Sequence, residues 1–185
     1  MARLRPVTGY KDSYDWTDGV TAPKDDGIAI VNIETGEKEI LISFEQMSRG
    51  LEQNGFDVKD RNLFINHTLW SRDGQWIYFF VRAGWKSDKD GRQRLNAACS
   101  IKVDGSQFIA GHQHIGGHPE WFHGTQIIGS SENQQVIYDI LQKKIIGTLG
   151  SPDIFPKPEG DISICLLYTS PSPRDATLSR MPSSA

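Results

Sequence analysis

Cysteine is nearly missing: the 185 residues hold two, Cys99 and Cys165. That excludes a disulfide framework as the thing that holds a core together, and so few thiols do not fix a redox compartment. No apolar run approaches the ~20 residues a membrane-spanning helix needs. No charged-then-apolar leader pattern opens the chain. A basic excess is absent as well. Lys and Arg number 20 against 23 Asp and Glu, a net charge of −3. Nucleic acid or an anionic membrane would call for a basic face, so neither is expected as a partner.

What is present is turn chemistry between short apolar runs. Residues 66–80 (NHTLWSRDGQWIYFF) read as strand, tight turn, strand. Asp73-Gly74 suits a hairpin because glycine reaches positive φ without a Cβ clash. The stretch has an echo at residues 118–129, which repeats the order His, two residues, Trp, Gly-containing turn, apolar strand. His67 to Trp70 and His118 to Trp121 have the same spacing.

A second hairpin follows each copy: residues 97–110 after the first, with Asp104-Gly105 at the turn, and residues 135–149 after the second. A further hairpin at 27–42 precedes both. Four-stranded units, each with one Trp-turn-Gly signal, are the sequence pattern of a β-propeller. The expected fold is therefore all-β: a partial propeller over residues 1–164, with about two complete blades and parts of two more. Hairpins of a β-sandwich are the competing reading.

One segment breaks the rhythm. Ser43 followed three residues later by Gln46 makes a capping box, Phe44, Met47 and Leu51 share one helical face, and Asn54-Gly55 supplies a stop. A short inserted helix near 44–53 is expected, either covering one mouth of the propeller or packing on a sheet edge. Residues 84–94 are charged and contain Gly84 and Gly91, hence an exposed loop. Trp85 within it is either a binding aromatic or a side chain folded onto the sheet.

Residues 165–175 (CLLYTSPSPRD) and 179–185 (SRMPSSA) resemble the in-frame translation of a sequencing adapter, with 176–178 in the place of a sample index. Segments of that kind are set aside before fold reasoning. The natural chain is expected to end near Ile164, and 165–185 to be a non-native, mostly disordered tail. Without Arg174, Arg180 and Asp175 the balance stays mildly acidic, and Cys99 is then the one genuine cysteine.

The candidates for chemistry lie where blades begin. His67 and His118 occupy equivalent positions and are expected to face one funnel. His112 and His114 are two apart, so on a strand they point to the same side. With His118 they place three imidazoles within seven residues, enough nitrogen to ligate a divalent metal. The plainer reading is that such histidines hydrogen-bond backbone inside their own blades.

The NHTLWSRDGQWIYFF stretch, the GGHPEW stretch and the DDGIAIVNIETGE hairpin resemble the oligogalacturonate lyase-like β-propellers, over nearly all of residues 1–164. The resemblance implies a seven-bladed fold and β-elimination on short pectic oligosaccharides. It implies a histidine base, for which His67 or His118 stands ready, and an arginine that neutralises the uronate carboxylate, for which Arg82 stands ready. It also implies a metal, commonly manganese, on histidines of later blades that map to no residue here. Electrostatic stabilisation of a carbanion-like charge makes such a set chemically sensible. Trp85, His112 and His114 are the expected substrate contacts. The competing function is a non-catalytic propeller that binds a glycan or a protein through its funnel.

Overall fold

The computed structural model describes residues 17, 19–85, 91–154 and 158. The expectations for the first sixteen residues, for most of 155–164 and for the 165–185 tail lie outside them. The described chain is mostly antiparallel sheet with one helix. Strands β1 (Gly27–Val31) and β2 (Lys38–Ser43) pair as a hairpin, and helix α1 (Phe44–Gln53) follows directly. Strands β3 (Phe64–Trp70), β4 (Trp76–Ala83), β5 (Leu95–Lys102) and β6 (Phe108–His112) form one four-stranded meander. Strands β7 (Gly116–Trp121), β8 (Gln126–Ser131), β9 (Gln134–Asp139) and β10 (Lys144–Leu149) form a second, in the same up-and-down order.

The turns explain the meanders. Ser71 anchors the β3–β4 connection: its Oγ donates to Asp73 Oδ1 (2.6 Å) and accepts from the Trp76 N–H (2.8 Å), while Gly74 takes φ 67°. Asp139 does similar work after β9, where one carboxylate oxygen accepts from the Leu141 and Gln142 amides (2.9 and 2.8 Å). The β8–β9 connection has only Glu132 and Asn133 between the strands, both left-handed (φ 48° and 61°), the backbone that two-residue hairpins require.

Strand β4 is buried along nearly its whole length because both of its faces are covered. Ile77, Phe79, Val81 and Ala83 face the hairpin and α1, packing with Ile28, Ile42, Met47 and Leu51. Trp76, Tyr78 and Phe80 face the other way, against Trp121, Ile127, Val136 and Tyr138 of the second sheet. The period-2 geometry of a strand distributes an unbroken apolar run between two cores.

Helix α1 spans the expected residues and carries the expected cap: Ser43 Oγ accepts from the Gln46 amide (3.3 Å) and Gln46 Oε1 accepts from the Ser43 amide (2.8 Å). Phe44, Met47 and Leu51 are its buried face. It packs against β6 and β2, with Met47 and Leu51 on the sheet face that carries Phe79 and Val81. The approach to β6 is close: a Cβ at Gly50 would sit 2.7 Å from the Phe108 ring.

Candidate functional site

Two strands that open their sheets, β3 and β7, lie beside each other, and both carry the same irregularity. The β3–β4 register breaks between Asn66 and Leu69, and the β7–β8 register between Gly116 and Glu120. Inside each break a histidine takes left-handed backbone, His67 at φ 55° and His118 at φ 52°. Non-glycine residues rarely hold that conformation, and histidine holds it more readily than most. The bulges turn the two rings toward each other, with centroids 5.7 Å apart and planes at 82°.

The rings border a cavity of about 550 Å³, walled also by Phe80, Arg82, Asn96, His114 and Glu120. Arg82 comes from the end of β4 and is half-buried. Its Nε donates to Asn96 Oδ1 across the β4–β5 pair (2.7 Å), and its guanidinium lies against the rings of Phe80 (5.0 Å) and Trp85 (4.9 Å). Among the described residues no carboxylate forms an ion pair with it. Glu120 is on the same cavity wall but turns an oxygen back to the Trp121 amide (2.8 Å).

The arginine also fixes a tautomer. Its Nε can only donate, so the facing atom of Asn96 is the carbonyl oxygen, and the amide nitrogen faces His114 Nδ1 at 3.4 Å. An amide nitrogen only donates as well. His114 Nδ1 is therefore the acceptor, and the ring proton sits on Nε2. Burial and the Arg82 charge both hold His114 below the usual imidazole range. Burial does the same for His67, helped by Arg82 and His118. Both rings are neutral bases at pH 7, beside a fixed cation.

The expected site residues thus divide. His67, His118, His114 and Arg82 meet at one cavity. His112 is separated from them: β6 ends on it, and its ring turns into the core between Tyr78 (6.4 Å) and Tyr138 (5.9 Å). Same-side pointing of His112 and His114 fails because the strand stops between them. Trp85 meets Arg82 on one side and Arg94 (4.8 Å) on another, with its edge toward Phe64. It supports the arginine and is not a cavity wall. Asn96 and Glu120 were missed, and only the β4–β5 register would have put Asn96 opposite Arg82.

As for a metal, the described residues include no group of three or more His, Cys, Asp or Glu side chains placed to hold an ion. The donor side chains on the cavity wall are His67, His118 and Glu120, while His114 Nδ1 already faces Asn96. Among the described residues they form no three-donor group of the kind a manganese ion takes.

The left-handed backbone at the bulges gives a direct test. His67→Gly is expected to melt above His67→Ala, by the equivalent of about 1–2 kcal/mol, because only glycine relieves the Cβ clash. Equal midpoints for the two variants would show that the bulge stores no strain.

No helix of the described residues is long and apolar enough to cross a membrane. No protein-family model and no curated protein matches the chain.

Proposed function

We propose that the two meanders are successive blades of a β-propeller, that β3 and β7 are their innermost strands, and that the cavity between them binds the carboxylate of a uronate sugar for β-elimination. The observation that carries this reading is Arg82: a guanidinium half-buried, braced by Asn96 and two rings, with no carboxylate paired to it among the described residues. A cation partly withdrawn from water and braced by neutral groups is favoured by an opposite charge, so a site built this way favours an anionic ligand. Carboxylate oxygens would take the free edge of the guanidinium.

Charge neutralisation acidifies the C–H beside that carboxylate. A neutral His67 then removes the proton, electrons move to form the C=C bond, and the C–O bond to the neighbouring sugar breaks. His118, next to His67, is placed to return a proton to the departing oxygen. The chemistry needs His67 unprotonated, and its lowered pKa supplies that at neutral pH.

Binding of a galacturonate oligomer to the chain, followed by calorimetry and by formation of unsaturated product, tests the proposal. Arg82→Gln is expected to weaken binding about 10–100-fold, the loss of a charge-assisted hydrogen bond, while a neutral glucan of equal length binds neither form. Uronate binding that is indifferent to Arg82→Gln overturns the site. Binding with the expected Arg82 dependence but no unsaturated product leaves a non-catalytic glycan-binding propeller.

A further inference from the structure

Away from the cavity, between the two four-stranded sheets, four buried polar atoms have no hydrogen-bond partner among the described residues: Tyr78 Oη, Ser100 Oγ and both ring nitrogens of His112. Their residues are 0, 0 and 6 % exposed. They also share one sheet face. Tyr78 is the register partner of Ser100 on β4 and β5, and Ala98, two residues before Ser100, is the partner of His112 on β6. Ala98 and Ser100 are small, so the Tyr78 ring leans across β5 and stacks on His112 at 6.4 Å, with planes 23° apart. The second sheet closes the space with Tyr138, whose ring meets His112 edge-on and whose hydroxyl accepts from the Gln113 amide (3.3 Å).

We infer that this layer is a water-binding site, in which one buried water is held jointly by the Tyr78 hydroxyl, the Ser100 hydroxyl and one ring nitrogen of His112. The donor count suits three of the four atoms. A neutral imidazole offers one N–H and one bare nitrogen on different sides of the ring, each hydroxyl offers a donor and acceptor lone pairs, and a buried water makes about three hydrogen bonds, one of them to a single His112 nitrogen. Leaving the same groups dry would cost about 1–3 kcal/mol for each in a layer otherwise made of Trp, Ile, Val and Phe. Among the described residues direct bonding among the three does not occur and no other side chain bridges them, so a solvent oxygen is assigned to the bridge. The water joins β4, β5 and β6 at the point where the second sheet rests on them.

The dry and bridged states predict opposite signs. If the groups are orphans, Tyr78→Phe and Ser100→Ala remove unsatisfied polar atoms and raise the melting midpoint. If water bridges them, each variant is expected to lower it by about 2–4 °C, and the double variant by less than the two together, since one water is lost once. Water–protein cross-relaxation in the intact chain reads the same site directly, as a long-lived water signal that disappears in either variant. A midpoint that rises, additive losses, or a signal that survives the double variant each overturn the inference. Neither residue lines the cavity beside Arg82, so uronate binding is expected to be unchanged in both.

Discussion

Trp121→Ala is expected to cost about 3–5 kcal/mol, the range for deleting a fully buried tryptophan, and Trp70→Ala about 1–2 kcal/mol. The two occupy the same place in the repeat, at the ends of β7 and β3. Their surroundings differ. Trp121 is 1 % exposed, meets Tyr78 edge-on at 6.4 Å, and donates its ring N–H to the Leu69 carbonyl on the neighbouring sheet (2.9 Å). The Arg72 Nε donates to the Trp121 carbonyl (3.3 Å), so backbone and side chain of this one residue both join the sheets. Trp70 is 55 % exposed. Urea unfolding of both variants decides the matter; equal costs would mean that Trp121 does not hold the sheets together.

Acidification is expected to remove about 3 kcal/mol of stability between pH 7 and pH 4. Burial, with a smaller push from Lys143, lowers the His112 pKa from 6.5 to about 4. The sign follows from proton counting. Between those values the unfolded chain has its histidine protonated while the folded one does not, so protons favour unfolding. Stability is full above about 6.5, falls as the pH drops toward 4, and levels off below the folded value. The lowered pKa values of His67 and His114 act in the same direction. His112→Phe keeps a ring between Tyr78 and Tyr138 but cannot take a proton. Its denaturation midpoint is expected to be flatter over this range than that of the parent chain. An equally steep dependence in the variant would assign the acid sensitivity elsewhere.

Strand pairs and the helix were legible because each announces itself locally. Asp73-Gly74, Asp104-Gly105 and Ser43 with Gln46 are short-range signals that do not depend on what packs above them. The two-residue Glu132-Asn133 turn was not recognised, since neither residue is glycine and both nevertheless take positive φ. The site was legible in part for a related reason. A repeat at equal spacing puts His67 and His118 in matching places, and matching places on adjacent sheets become neighbours. His112 was misplaced because its direction depends on where β6 ends, and its ring packs between Tyr78 and Tyr138, which come from other strands. The choice between the two readings of Trp85 stayed open in the sequence because its partners, Arg82 on β4 and Arg94 just before β5, are joined by no local pattern. Cys99 is buried, and burial pushes its thiol up to about 12, which leaves it inert.

The paired bulges carry a consequence for anyone who evolves this protein in the laboratory. A library screened for heat resistance alone rewards glycine at positions 67 and 118, because the left-handed backbone is cheapest there without a side chain. Such a screen would erase both imidazoles early and report the loss as improvement. A parallel screen for ligand retention would hold them in place, and the positions where the two screens disagree would outline the cavity without any structure at all.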